Sequence, residues 1–256
     1  MKLAANLSLL WPELPFLERF DAAAAAGFQA VEILFPYDVG ARDMQRAMRR
    51  TGLPLILMNA PPPNYTGGKR GFAATVGGEG RFQHDMRRVF RYAEALGSKI
   101  VHVMSGEGSG QDAFDTMVSN LKWASRAAPK GLTLTIEPLN PNDMPGYFLN
   151  DYDLAAKVLD AVKKPNLRLQ FDTYHAQKIH GNAVEVWKKY GLRAAHVQIA
   201  DTPGRIAPGE GDIDFAALYS AMAATDYKGW VSAEYNPGDR ATEDSLGWLK
   251  KVSAAA

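Results

Sequence analysis

The feature that most constrains the fold is a regular alternation of short apolar segments and longer amphipathic segments along all 256 residues. The amphipathic segments repeat their apolar residues every three or four positions, which is the period of a helix. The apolar segments show little alternation, as is typical of parallel strands that helices cover on both faces. The sequence therefore predicts an α/β protein with eight parallel strands, at residues 3–9, 30–35, 53–59, 99–104, 132–137, 167–172, 194–199 and 230–234.

Eight strand–helix units with right-handed crossovers favour closure into one (β/α)8 TIM barrel, and about 250 residues is the usual length of that fold. The alternative is an open doubly wound sheet, which usually carries a glycine-rich turn after its first strand. Residues 8–14 read SLLWPEL at that point, so the barrel is preferred, as a single domain over residues 1–256. Predicted helices at 14–26, 42–51 and 82–96 end at glycines, and later glycines predict further helix ends, at Gly131, Gly191 and Gly229.

Composition excludes several classes of function. The chain has no cysteine, so thiol catalysis and thiolate metal sites are excluded, and oxygen ligands would favour a hard cation such as Mg2+ or Mn2+. The net charge of +1 gives no reason to expect a nucleic-acid partner. No apolar run approaches the roughly 20 residues that span a bilayer, so we expect no membrane partner and a cytoplasmic location. Association of identical chains into a homo-oligomer stays open.

One connection is unusually long and rich in proline and glycine. Residues 61–81 read PPPNYTGGKRGFAATVGGEGR, and the whole connection spans 60–81. Loops of this length in a compact barrel are either functional or disordered, and this one follows a strand at the end where barrel active sites form. We predict an active-site lid, in which Lys69 and Arg70 close over an anionic substrate; the alternative is that both cations are merely solvated.

Three carboxylates and one amide occupy the carboxyl ends of four predicted strands: Glu137, Asp172, Gln198 and Glu234. Three carboxylates at one barrel mouth would repel one another unless a cation neutralised them. A divalent metal with oxygen ligands resolves that repulsion, and the Gln198 amide oxygen suits the same ion. The alternative is that each acid only caps a helix or faces solvent.

Basic residues near these strand ends are candidates for substrate binding. His175 lies three residues beyond Asp172, where it can contact a substrate oxygen. Arg205 follows Gln198 and can neutralise an anionic group, although an ordinary surface arginine is equally consistent with the sequence. His102 and His196 lie within apolar strands, so we expect structural roles for them rather than direct metal ligation.

Longer motifs give a family resemblance over nearly the whole chain. The most specific are IEPLNPNDMPGYFL at 136–149 and QFDTYH at 170–175. The others are VEILFPYD at 31–38, MNAPP at 58–62, a GG-K-RG element at 67–71, HVQIAD at 196–201, PGEGDIDF at 208–215 and AEYNP at 233–237. With these motifs the sequence resembles the hydroxypyruvate isomerase family, within the xylose isomerase-like barrels.

That resemblance implies a reaction and a set of roles. It makes Glu137 and Glu234 the acid–base pair, and Glu137, Asp172, Gln198 and Glu234 the metal ligands. It also implies a small hydroxy-oxo acid as substrate, with its carbonyl moved to the adjacent carbon through an enediolate, as from hydroxypyruvate to tartronate semialdehyde.

Other substrates and functions stay open from the sequence. A 2-oxo-tetronate isomerase would present the same carboxylate and the same adjacent hydroxyl and carbonyl. A ketose 3-epimerase would share the two glutamates, but such enzymes typically have histidine at the position of Gln198. A nucleic-acid repair endonuclease on the same barrel would need several histidines for zinc and a basic face, and the chain has five histidines in all.

Overall fold

A computed structural model describes residues 1–61 and 70–249, and its eight strands form a closed barrel in chain order. Each strand is parallel to both of its neighbours, and the last strand pairs with the first. The strands are β1 (Lys2–Asn6), β2 (Ala30–Ile33), β3 (Leu55–Ala60), β4 (Ile100–Val103), β5 (Thr133–Ile136), β6 (Leu167–Asp172), β7 (Ala194–Ile199) and β8 (Trp230–Ala233). The predicted TIM barrel is confirmed.

Helices cover the outside of the barrel and connect successive strands. They are α1 (Arg19–Ala25), α2 (Ala41–Thr51), α3 (Glu79–Leu96), α4 (Gly110–Ala127), α5 (Tyr152–Val162), α6 (Thr173–His180), α7 (Ala183–Tyr190) and α8 (Phe215–Ala224). The connection from β6 to β7 holds two of them, α6 and α7. After β8, the described chain continues into the 3-10 helix Thr242–Ser245. None of the helices within residues 1–61 and 70–249 has the length and apolar character needed to cross a membrane.

Several predicted boundaries are wrong, for identifiable reasons. The first strand ends at Asn6 instead of residue 9, because the Asn6 side chain and carbonyl accept hydrogen bonds from the backbone that follows and turn the chain. The predicted helix 14–26 begins with the 3-10 helix Phe16–Glu18. Gly131 does not end a helix, because α4 stops at Ala127, and the residue before Pro129 is extended, as proline requires. Gly229 likewise lies beyond α8, which stops at Ala224.

The barrel interior has two layers of different chemistry. Alternation along each strand turns every second side chain inward. An apolar layer fills the amino-terminal end of the barrel, with Ala4, Ala30, Leu57 and Ile100 against Trp230. The next inward residues along the strands are polar and fully or almost fully buried: Asn6, Glu32, Asn59, His102, Thr135, Gln170, His196 and Ser232. This polar layer forms a floor beneath the carboxyl ends of the strands.

Large aromatic side chains fill the space between the barrel and the helices outside it. Trp187 of α7 is fully buried and lies edge-on to Phe171 of β6, with ring centroids 5.1 Å apart. It also meets Tyr227 edge-on at 5.3 Å. Because β6 ends at Asp172, this packing fixes the strand that carries one of the predicted site residues.

We expect Trp187→Ala to lower the free energy of unfolding by about 3–5 kcal/mol, because it removes a fully buried aromatic side chain and leaves a cavity. Urea unfolding followed by circular dichroism measures the change. Leu192→Ala is the control: that side chain is 75% exposed, and its truncation should change the free energy by less than about 0.5 kcal/mol. Equal effects of the two substitutions would show that the cluster around Trp187 does not stabilise the barrel.

Candidate active site

The strand register brings the four predicted ligand residues to one mouth of the barrel. Asp172 of β6 pairs with Gln198 of β7. Glu234 directly follows β8, and its backbone N–H donates to the carbonyl of Ile199 at 3.1 Å. Glu137 directly follows β5 and lies beside β6. All four residues are at most 5% exposed, so none is the solvated loop residue of the alternative interpretation.

The carboxylate of Asp172 divides its two oxygens between the fold and the site. Its Oδ1 caps α6 by accepting the backbone N–H groups of Tyr174 and His175, at 2.7 and 3.3 Å. Its Oδ2 faces the mouth, where it accepts from Arg205 at 2.8 Å. Asp172 is therefore both the helix cap of the alternative interpretation and a member of the carboxylate group.

Arg205 lies between two of the carboxylates and is not an ordinary surface arginine. Its Nη2 is 2.8 Å from Asp172 Oδ2 and 3.0 Å from Glu234 Oε1, and its Nε donates to the Glu234 carbonyl at 3.2 Å. Burial disfavours the charged form of the guanidinium. The Glu234, Asp172 and Glu137 carboxylates outweigh that effect and raise the pKa of Arg205 above its usual value.

If all three acids are ionised, they carry more negative charge than Arg205 neutralises. Burial, together with repulsion from Asp172 and Glu234, raises the pKa of Glu137 well above its ordinary value. Burial also raises the pKa values of Glu234 and Asp172, although Arg205 opposes the rise in both. Three ionised carboxylates beside one guanidinium leave two negative charges, which is the charge that a divalent cation would balance.

The residues present fit a divalent metal. Glu234 Oε2 is buried without a hydrogen-bond partner, so this oxygen has a free lone pair in the site. Carboxylate oxygens of Glu137 and Asp172 lie within 4.8 Å of each other. A buried carboxylate oxygen without a donor is costly unless a cation contacts it. Carboxylate and amide oxygens are the donors that Mg2+ and Mn2+ prefer.

His175 fits a hydrogen-bond donor better than a metal ligand. Its Nδ1 accepts the backbone N–H of Asn140 at 3.0 Å, so the neutral ring carries its proton on Nε2. Burial, and then Arg205, lower the pKa of His175 well below its ordinary value, which keeps the ring neutral. In this tautomer neither ring nitrogen offers a free lone pair. Nε2 lies 3.3 Å from Arg205 Nη1, which is itself a donor and cannot accept the Nε2 proton, so Nε2–H stays available to another acceptor.

The two strand histidines lie in the polar floor beneath the site. His102 Nδ1 is 3.3 Å from Asn59 Oδ1 and 3.4 Å from Glu137 Oε2. Burial lowers the pKa of His102 to about 3, so it contacts Glu137 as a neutral ring. His196 Nε2 is 2.6 Å from Glu32 Oε2. Both histidines are buried and hydrogen-bonded, as the sequence predicted.

Glu32 belongs to the floor and was not among the residues predicted from the sequence. This carboxylate is fully buried in β2 and contacts His196 and the side-chain amides of Asn6 and Gln198. These donors outweigh the effect of burial and lower its pKa. A signal was present in the sequence: a glutamate inside an apolar strand needs a buried partner. The sequence did not show which residues those partners are.

A second missed residue, Asp201, organises the loop that carries Arg205. Its buried carboxylate accepts four backbone N–H groups, from Thr202, Gly209, Gly211 and Ile213, at 2.8–3.0 Å. At Gly211 a Cβ would lie 1.9 Å from the Thr202 carbonyl oxygen, so only glycine fits this close turn. The loop is therefore folded around one side chain, and Arg205 lies within it.

The structure describes only one of the two basic residues predicted in the lid. Lys69 lies outside the described residues, as do residues 62–69 of the predicted lid. Arg70 is exposed, and its guanidinium lies 3.7 Å from Met144 Sδ rather than against the site carboxylates. The rest of the segment is packed: Gly71 bridges to Ser105, and α3 begins at Glu79, three residues before the predicted start.

Comparison with known proteins gives a family and several relatives. The sequence matches the family described as xylose isomerase-like TIM barrel over residues 20–252. It is 39% identical over 254 residues to the 2-oxo-tetronate isomerase of Cupriavidus necator, which covers 97% of each chain. It is 36% identical over 254 residues to the hydroxypyruvate isomerase of Escherichia coli, covering 97% of this chain and 98% of that one. A crystal structure described as AP endonuclease, family 2, from Brucella melitensis superposes with a TM-score of 0.93 and 39% identity, covering 98% of each chain.

We expect Asp201→Asn to destabilise the loop that carries Arg205, because an amide nitrogen replaces an oxygen that accepts two backbone N–H groups. The loss should be about 3 kcal/mol. Hydrogen–deuterium exchange should become faster at Gly209, Gly211 and Ile213. The control is Asp226→Asn, at a largely exposed carboxylate paired with Lys228, which should leave the exchange of this loop unchanged. Unchanged exchange in Asp201→Asn would show that the carboxylate does not hold the loop.

Proposed function

Because the chain belongs to the xylose isomerase-like TIM barrel family, we propose that it is a metal-dependent isomerase of a small hydroxy-oxo acid. The reaction moves a carbonyl group to the adjacent carbon, with hydroxypyruvate as the first substrate and 2-oxo-tetronate as the second. The observation that carries this proposal is the group of three buried carboxylates and one amide at neighbouring strand ends, of which Arg205 contacts two carboxylates. The names of the relatives from C. necator and E. coli support the same reaction class.

Glu137, Asp172, Gln198 and Glu234 would hold the metal, and Mg2+ or Mn2+ suits this set of oxygen donors. When bound, such an ion supplies Lewis-acid stabilisation of negative charge on the substrate oxygens. The partner-free Oε2 of Glu234 supports this assignment.

Glu137 and Glu234 are the proposed acid–base pair. One glutamate removes the proton from the carbon that bears the hydroxyl, giving an enediolate. A proton then returns to the former carbonyl carbon and the hydroxyl proton passes to the former carbonyl oxygen, so one carbon is oxidised and its neighbour is reduced. Burial raises the pKa of both side chains, so each carboxylate is a stronger base than a solvent-exposed glutamate.

Arg205 and His175 are the proposed substrate-binding residues. The Nε2–H of His175 faces the site and can donate to a substrate oxygen. Arg205 lies at the mouth, where it can bind a substrate carboxylate once the metal balances Asp172 and Glu234. For Lys69 and Arg70, a role in binding the same anion stays a prediction from the sequence.

Two other functions are less consistent with the site. A ketose 3-epimerase typically has histidine at the position where this chain has Gln198. The endonuclease named in the Brucella melitensis structure would need a cluster of histidines for zinc. Within residues 1–61 and 70–249, the metal-ligand cluster holds one histidine, His175, and its Nδ1 already accepts a backbone N–H.

We expect chelation to abolish activity and Mg2+ or Mn2+ to restore it. Glu137→Gln and Asp172→Asn should each weaken Mn2+ binding by at least about tenfold, or ~1.4 kcal/mol, because each replaces an anionic ligand with a neutral one. Isothermal titration calorimetry measures the affinity. Asp214→Asn is the matched control, since it changes an Asp that caps α8 and asparagine caps helices equally well. Full activity of protein shown by elemental analysis to be metal-free would contradict the proposal.

The substrate is tested by proton NMR of the Mg2+-loaded enzyme in D2O with hydroxypyruvate, 2-oxo-tetronate, fructose and tagatose. We expect a new carbonyl position in an acid, with deuterium on the carbon that receives the proton. Glu137→Gln gives the background exchange. One extra carbon changes selectivity by only ~1–3 kcal/mol, so both acids can react at different rates. Exchange confined to C3 of a ketose, with neither acid consumed, would identify an epimerase instead.

A further inference from the structure

We propose that Glu32 is a positioning residue that fixes the side-chain amide of Gln198 with its oxygen toward the carboxylate group. The inference rests on the proposed metal site, because Gln198 is one of its ligands. Glu32 itself lies in the floor, on the opposite side of the Gln198 amide from Gln170, and does not belong to the ligand set.

The contacts of Glu32 all come from hydrogen-bond donors. Its Oε1 accepts from Asn6 Nδ2 and from Gln198 Nε2, each at 2.7 Å. Its Oε2 lies 2.6 Å from His196 Nε2. A carboxylate only accepts hydrogen bonds, so the side of the Gln198 amide that faces Glu32 has to be its NH2 group.

The opposite side of the amide is fixed in the same direction. Gln198 Oε1 accepts from Gln170 Nε2 at 2.8 Å, and the same nitrogen donates to Glu137 Oε2 at 2.9 Å. Gln170 Oε1 in turn accepts the hydroxyl of Thr135 at 2.9 Å. A flipped Gln198 would place its oxygen against the Glu32 carboxylate and its NH2 against the NH2 of Gln170. The floor therefore allows one orientation of this amide.

That orientation decides whether Gln198 can serve as a ligand. The two halves of a glutamine amide are almost the same size, so packing alone does not choose between them. Only the oxygen can coordinate a hard cation, whereas the NH2 group would repel it. Groups that orient metal ligands in this way typically change metal affinity by about 10–100-fold when they are removed.

Two substitutions separate orientation of the amide from simple filling of space. Glu32→Gln keeps an oxygen that can accept from Asn6 and Gln198. Its NH2 group can donate to His196 Nε2 once the ring proton moves to the other ring nitrogen. That nitrogen, His196 Nδ1, is buried without a hydrogen-bond partner in the structure. Glu32→Met has a similar volume but no acceptor, so the Gln198 amide loses the acceptor for its NH2 group and is oriented by Gln170 alone. Tyr227→Phe is the matched control: it removes a hydroxyl that donates to the Trp230 carbonyl at 3.0 Å, at the far end of the barrel.

The test is the Mn2+ affinity of each variant, measured by calorimetry on the full chain. We expect Glu32→Met to weaken Mn2+ binding by about 10–100-fold, with Glu32→Gln far closer to the wild type and Tyr227→Phe unchanged. Wild-type affinity in a folded Glu32→Met variant overturns the inference, and so does an equal loss in Glu32→Gln and Glu32→Met. If Glu32→Met does not fold, Glu32→Met/His196→Leu replaces both partners by apolar side chains and tests the same loss of the acceptor.

A second measurement does not depend on the metal. In 15N-labelled protein without metal, the side-chain NH2 signals of Gln198, assigned by their loss in Gln198→Glu, report its hydrogen bond to residue 32. We expect slow solvent exchange in the wild type and in Glu32→Gln, and faster exchange in Glu32→Met. If the wild type bound no Mn2+, the proposed function would fail and these signals alone would decide the role of Glu32. Exchange equally fast in all three proteins would overturn it.

Discussion

The structure is organised around the cost of burying three carboxylates at one mouth of a barrel. Glu137, Asp172 and Glu234 are each at most 5% exposed, and Arg205 is the cation that contacts two of them directly. Buried charge of one sign is tolerated only where hydrogen bonds and opposite charge compensate it. Arg205 supplies opposite charge, and hydrogen bonds come from the N-terminus of α6 to Asp172 and from the polar floor to Glu137.

Compensation comes from neutral groups as well as from charges. Three of the eight floor residues carry amide side chains; the NH2 of Gln170 donates to Glu137 and the NH2 of Asn6 donates to Glu32. Each amide has one donor side and one acceptor side. The orientation of one amide side chain therefore fixes the orientation of the amide that it contacts on the next strand. A floor of apolar side chains would pack equally well but would leave the carboxylates without donors.

Much of the fold could be predicted from the sequence, because strand and helix periods are local. All eight strands were found, and β6 and β7 have the predicted bounds. The site residues at strand ends could be placed because parallel strands bring their carboxyl ends to one face. The errors in the predicted secondary structure lie at the ends of elements, such as the early start of α3 and the early end of α4. Single turns and prolines determine where a helix begins or ends.

The rest could not be predicted because it depends on contacts between distant parts of the chain. Glu32 and His196 are 164 residues apart, and no local pattern links them. Asp201 reads as one more acid in a loop, although its carboxylate holds four backbone N–H groups. The position of Arg205 between two carboxylates also depends on that loop. In each case the residue type was visible in the sequence, whereas its partner was not.

The division of labour within Asp172 has a consequence for the entropy of binding. One carboxylate oxygen is held by the backbone N–H groups of Tyr174 and His175, so the side chain cannot rotate freely. The loss of its rotational freedom therefore accompanies folding and does not have to accompany ligand capture. Glutamate at this position would carry one more rotatable bond and would not cap the helix in the same way. A short acid that begins a helix is thus an inexpensive means of presenting one rigid oxygen to a cation.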